Sequence, residues 1–191
     1  SGLKDLSEMT TFKQKTSILE KPLSKGKSEI NLSAFALLFS EIVQYSQNRV
    51  SSVPELHERL AELGRQVGFR MCEVLFIREK NSKREVKLIN ILLFIKTIVW
   101  KVLFGKEAEK LEHASDDEKT YYIIETESLV NKYISVPKDK HAINCAAFVA
   151  GIVEEILNST GFNAKVTCHW HKGTTFMIKF EDRIISREKR F

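Results

Sequence analysis

The chain has 191 residues and a mass of 22.0 kDa, the size of one domain or at most two small ones, and enough to bury a proper core. A hydrophobic share of 43% with 12 Phe, against only 8 Gly and 3 Pro, excludes a disordered or loop-dominated chain. The net charge of +5 is scattered among acidic neighbours, so nucleic acid is not an expected partner, while an anionic membrane leaflet or an acidic protein stays compatible.

The first 28 residues are polar and lysine-rich and read as an N-terminal arm; residues 29–183 read as a single α+β domain and 184–191 as a charged C-terminal tail. Asn31 or Ser33 is a natural N-cap for a first helix over residues 34–49. Its face of Phe35, Leu38, Phe39, Ile42 and Val43 is too broad for a simple surface helix. Such a helix meets its own core on one side and a second subunit on the other, or is buried within one core; the residues alone leave both open. Ser51 or Ser52, with Pro54 just inside, starts a second helix. Leu56, Leu60, Leu63, Val67, Met71 and Val74 form its stripe, and Gly64 and Gly68 sit one turn apart on another face. An interior helical glycine costs ~1 kcal/mol relative to alanine, and close approach of a neighbouring helix is the usual compensation.

After the polar turn 80–83 comes the longest apolar run, Arg84 to Gly105. By length it could span a bilayer, but Lys87, Lys96 and Lys101 recur through it, and a lysine near the bilayer centre costs at least ~2.5 kcal/mol. Wound as a helix, it places Lys87, Asn90, Thr97 and Lys101 on one narrow stripe and apolar residues around most of the rest. That is a central core helix, covered on nearly every side, with a membrane anchor as the lesser alternative. Lys96 lies opposite the stripe and has to snorkel out, pair with an acid or face a partner.

Beyond Gly105 the period changes. Residues 110–114 and 120–126 read as strands around an acidic turn, 141–159 as a fourth helix, and 164–171 with 174–180 as a hairpin closed by Lys172-Gly173. Val166, Cys168 and Trp170 then share one face of the hairpin, and Thr167, His169 and His171 the other. The sum is an α+β fold, a helical layer packed on one face of a mostly antiparallel sheet.

No constellation carries chemistry. Cys168 points away from His169 and His171, and two histidines are an incomplete zinc set, so no metal is expected. Cys72, Cys145 and Cys168 are an odd number without a CxxC pair or a secretory signal, and read as reduced thiols of a cytosolic protein. Cys145 sits in a small-residue run on a buried helix and reads as a structural thiol, although a Cys/His nucleophile pair with a hairpin histidine would need only proximity. No glycine-rich phosphate loop, GxSxG elbow or HExxH occurs. No catalytic site, cofactor or metal is expected, and a binding or assembly module is left.

Several stretches together resemble the small core subunits of the transport protein particle (TRAPP), a vesicle-tethering complex of ER-to-Golgi traffic. They are Gly64-x-x-x-Gly68-x-Arg70, the run ending at Leu103-Phe104-Gly105, Tyr121 to Ile124, Ile134 to Pro137, Asn144 to Gly151 and the His169 to Thr175 hairpin. The resemblance covers residues 32–180, and the opening LSAFALLFSEIVQY and the HWHKGTT hairpin narrow it to one branch. It implies a non-catalytic scaffold in which the first two helices form a heterodimer interface, with Phe35, Leu38, Phe39, Ile42, Leu56, Leu60, Gly64 and Gly68 as candidate contacts. The implied partners are the acylated small subunit and the sedlin-like subunit, with a Rab GTPase engaged indirectly through a particle that acts as its exchange factor. The implied location is the cytoplasmic side of endoplasmic reticulum and cis-Golgi membranes, with peripheral membrane contact through the complex. An uncovered apolar face also permits self-association of the isolated chain. The acylated relative carries a cysteine at the start of its central helix; the matching position here is Glu85, so neither acylation nor a lipid tunnel is expected. A hydrophobic-ligand or lipid-binding module of the same fold is the alternative.

Overall fold

The computed structural model describes residues 31–80, 86–136 and 142–190; residues 1–30, 81–85 (Glu85 among them), 137–141 and 191 lie outside the described residues. Helix α1, Leu32–Gln47, is capped by Asn31, whose Oδ1 accepts the Ser33 N–H at 2.9 Å. Helix α2, Val53–Lys80, opens on a variant of the capping box. Ser52 Oγ accepts the Glu55 N–H, and Glu55 reaches back to the Ser51 N–H at 2.8 Å.

From Leu88 to Phe104 the central run is helical but changes pitch. Helix α3, Leu88–Phe94, passes into a π-helical turn at Ile95–Val99 and then into α4, Trp100–Phe104, which stops at Gly105 in the left-handed conformation. The Trp100 N–H donates to the Ile95 carbonyl, an i→i−5 bond that takes in about one more residue per turn. The extra residue turns everything after it back by roughly 100°. Trp100, which a regular helix would carry away from the buried Leu88, Ile91, Leu92 and Ile95, is thereby returned to the core. The helix is less covered than its sequence suggests, because Ile89 and Leu93 are each 45% exposed. Lys96 is half-buried beside those two and Leu111, and its backbone carbonyl accepts the Ala108 N–H.

Strands β1 (Lys110–His113), β2 (Thr120–Glu125), β3 (Ala164–Trp170) and β4 (Thr174–Phe180) form one antiparallel sheet in the order β1-β2-β4-β3. The short α5, Leu129–Lys132, precedes α6, Ala147–Ser159, which starts later than its sequence pattern suggests because residues 142–146 form a turn. The hairpin turn has Lys172 at φ 51° and Gly173 at φ 98°, as the Lys-Gly pair requires. Ile123, Phe176, Ile178, Val166 and Cys168 share the inner sheet face and meet α6 and Trp100. Lys165, His169, Lys179, Lys110 and Glu112 lie exposed on the other face. The fold is therefore the expected α+β layer arrangement.

The stretch read from sequence as a tail, 184–191, falls largely within a helix, α7 (Asp182–Glu188). Ile184 is buried in the core, Glu188 accepts the Leu88 N–H at 2.9 Å, and the Arg187 guanidinium lies over the Phe162 ring. One buried isoleucine among charges is too short a pattern to reveal a helix in sequence.

Candidate partner interface

The eight candidate contact residues divide sharply. Leu56 and Leu60 are buried in the core, as is Phe39, whose ring meets Phe148 edge-on at 5.4 Å. Gly64 and Gly68 are consumed within the chain, since α2 packs on α6 through them. A Cβ at Gly64 would stand 1.9 Å from the Phe148 carbonyl oxygen, and one at Gly68 2.7 Å from that of Ile152. These five are therefore intramolecular packing residues, a correction to their reading as partner contacts. Phe35 and Ile42 are half-buried and packed against the core from α1.

What remains is the far side of α1. Leu38 is 62% exposed, and Leu37 and Tyr45, which the sequence reading passed over, are 71% and 52% exposed. All three fall on the side of the helix opposite Phe39, Val43 and Ser46. The missed signal was available: Phe35-Ala36-Leu37-Leu38 are four apolar residues in succession, and no single stripe accommodates all of them. Arg49 caps the end of this face, its guanidinium 3.5 Å from the Tyr45 ring centroid.

Behind it the scaffold is locked by two buried carboxylates that the sequence reading did not single out. Glu154 on α6 accepts the Val166 N–H of β3 at 2.9 Å and Arg65 of α2 at 3.1 Å, joining three elements. Burial works against the Arg65 cation, but hydrogen bonds to Glu58 and Glu62 outweigh it and hold the guanidinium pKa above its usual value. Glu125 accepts Trp100 Nε1 at 2.9 Å and Lys106 Nζ at 2.8 Å, and that hydrogen bond raises the lysine pKa. Trp100 itself is fully buried, edge-on to Phe176 at 5.3 Å and tilted against Phe104 at 5.5 Å, so its indole fills the space behind the sheet.

The thiols are not poised for chemistry. Burial pushes Cys145 up to about 11 and Cys168 up to about 12, leaving both protonated at neutral pH. Burial also raises Cys72, which is half-buried. A maleimide is accordingly expected to label Cys72 first, with Cys145 and Cys168 reacting only on unfolding; rapid labelling of either at neutral pH would revive the nucleophile reading. No group of three or more metal-ligating side chains forms among the described residues.

His57 holds one further contact. Its Nε2 accepts the Asn144 N–H at 2.9 Å, which requires a neutral ring with a free lone pair there. Burial first, and repulsion from His169 second, keep its pKa below the ordinary 6.5. The folded state thus takes up the proton less readily than the unfolded chain. The stabilisation is complete above pH 6.5, declines as the pH falls below it, and levels off under the depressed folded value. Urea unfolding between neutral pH and pH 5 is expected to show this decline, with His57→Gln flattening it; an unchanged slope in the variant would assign the decline to other groups.

Fold and site together define an α+β module with a filled core and an uncovered apolar helix. The family model described as "Transport protein particle (TRAPP) component" matches residues 35–181. The chain is 59% identical over 175 residues to the human protein named "Trafficking protein particle complex subunit 5", covering 92% of this chain and 93% of that one. The protein of the same name in Dictyostelium discoideum is 48% identical, with 92% and 98% covered. Among solved structures, a trafficking protein particle complex subunit 3 from Naegleria fowleri, covalently bound to palmitic acid, superposes with a TM-score of 0.69. It is 13% identical and covers 81% of this chain and 98% of its own, a likeness of fold. The chain belongs to the TRAPP component family, and within it is most like subunit 5. Membership brings the role of a trafficking-complex subunit. No helix among the described residues is long and apolar enough to cross a membrane.

Proposed function

We infer that the chain is a non-catalytic scaffold of the TRAPP particle, pairing through the outer side of α1 with the acylated small subunit. In this reading it helps to assemble the particle that acts as a Rab exchange factor, on the cytoplasmic side of endoplasmic reticulum and cis-Golgi membranes, with the sedlin-like subunit docking nearby. The supporting observation is the uncovered face of Leu37, Leu38 and Tyr45 on a helix whose other side is fixed in the core. Large exposed apolar residues of this kind are what a partner surface covers. Co-expression with the acylated subunit and size-exclusion chromatography tests it. Wild type co-elutes, whereas Leu37→Glu with Leu38→Glu loses on the order of 100-fold in affinity, because two carboxylates would be desolvated without partners. Both positions are exposed, so the variant keeps its melting temperature. Co-elution of the variant, or a wild-type chain that stays alone, defeats the reading.

The lipid-binding alternative has less support, since the buried Trp100 ring takes up interior space. The chain is proposed to carry no acyl group, because the carboxylate of Glu85 cannot form a thioester. Intact mass of protein from eukaryotic cells is expected to equal the unmodified value; a fatty-acyl increment would reverse this.

A further inference from the structure

β3 is an edge strand, paired with β4 on one side only. In an antiparallel ladder the N–H and C=O of one residue point together, alternately at the neighbouring strand and away from it. The Ala164 N–H donates to Asn158 Oδ1 at 3.0 Å and the Val166 N–H to Glu154 Oε2 at 2.9 Å, so the even-numbered residues are those facing away. Along the first half of β3, side chains of α6 thus take the part of a missing fifth strand. The same alternation turns the N–H and C=O of Cys168 and the N–H of Trp170 outward, beyond the reach of those side chains.

These groups border a groove of about 420 Å³ between β3 and the N-terminal half of α2. Ala147 and Ala150 line it from α6, and Pro54 and His57 from α2. The Lys165–Glu58 pair, 3.6 Å apart, bridges β3 to α2 at the Glu154 end. The opposite edge of the sheet is handled differently. There β1 has four residues, with Lys110 and Glu112 exposed, and short charged edges discourage pairing. Among the described residues the end of β3 has neither device, and its Trp170 is 51% exposed.

We propose that the Cys168–Trp170 end of the β3 edge is a docking site for an extended peptide segment of a second polypeptide, added as a fifth strand. The open groups themselves select the occupant. Donors and acceptors alternating at strand spacing are matched by another extended backbone, not by a helix, whose groups are already satisfied, nor by a lipid chain, which has none. The small side chains of Ala147 and Ala150 leave room for β-branched residues at alternate positions of the incoming strand. The α1 face plays no part, so this site and the α1 pairing stand or fall separately.

The test uses the full chain and an acetylated, amidated hexapeptide alternating threonine and valine, followed by amide NMR. Saturable shifts at Cys168 and Trp170 are expected, with their hydrogen exchange slowed about tenfold or more at saturation. The same peptide N-methylated at the amides that would face β3 is expected not to bind. Trp170→Pro, which deletes an outward N–H without touching the ladder to β4, is expected to abolish the shifts. If that variant does not fold, the N-methylated peptide on wild type still decides. Absence of saturable binding, equal binding of the N-methylated peptide, or shifts confined to Leu37 and Leu38 each overturns the proposal.

Discussion

Gly64→Ala is expected to cost the fold ~3 kcal/mol or more, toward or past the upper end of what overpacking does. The reason is geometric. α2 and α6 meet backbone to backbone, and the contact is reciprocal: Gly64 of α2 faces the Phe148 carbonyl, while Gly151 of α6 faces the Ala61 carbonyl. A Cβ at Gly64 would lie 1.9 Å from that oxygen, and at Gly151 2.0 Å. No rotamer change relieves a clash with main chain, so the helices must separate along their contact and open the core around Ile152 and Leu60. Urea unfolding is the measurement, with the midpoint falling and the slope unchanged. Gly105→Ala is the control. Gly105 has φ +73° but open space where a Cβ would go, so its loss is set by the left-handed backbone alone, ~1–2 kcal/mol. If Gly64→Ala is as mild as Gly105→Ala, the close-approach account of the α2–α6 contact is wrong.

The same pair of helices shows where sequence was a sufficient guide and where it was not. Gly64 and Gly68 at one-turn spacing announced a close helix contact, because nothing else compensates for two glycines in a helix interior. Spacing carries no address, however, and the contact proved to be with α6 of the same chain rather than with another subunit. α1 is the reverse case. Its excess of apolar residues was plain, but which of them look outward depends on how α1 is rotated over α2, and that is decided by Phe39 meeting Phe148 far along the chain. Strand pairs and the hairpin were legible because alternation and a Lys-Gly turn are local signals.

The central helix was legible as an element and misread in its surface. A wheel assumes constant pitch, and the π turn at Ile95–Val99 breaks that assumption partway along. Its effect is to put Trp100 on the inner side, where Glu125 from β2 receives the indole N–H. No local pattern calls for that turn; the long-range hydrogen bond does. α7 escaped for a related reason, since its buried side chain is one residue and its other ties, Glu188 to Leu88 and Arg187 to Gly161, span the fold.

Glu154 is the other point at which a single substitution should be felt throughout the molecule. Carried on α6, it accepts from both α2 and β3, and it is buried. Removing one partner from a buried ion pair typically costs about 3–5 kcal/mol, mainly because the other charge is stranded. Here the cation is not stranded: Arg65 keeps Glu58 and Glu62, both at the surface. The dominant loss in Glu154→Leu is therefore the acceptor of the Val166 N–H, and leaving a buried donor unpaired costs about 1–3 kcal/mol. The expected total for Glu154→Leu is about 2–3 kcal/mol by urea unfolding, below the cost of a fully orphaned pair. Glu154→Gln retains an oxygen for the Val166 N–H while discarding the charge, so it should recover most of that loss. Hydrogen exchange separates the two contributions: the Val166 amide is expected to exchange faster in the leucine variant and near the wild-type rate in the glutamine one. Should both variants lose the same stability, with Val166 protected in each, the charge contact to Arg65 rather than the strand N–H would be what Glu154 supplies.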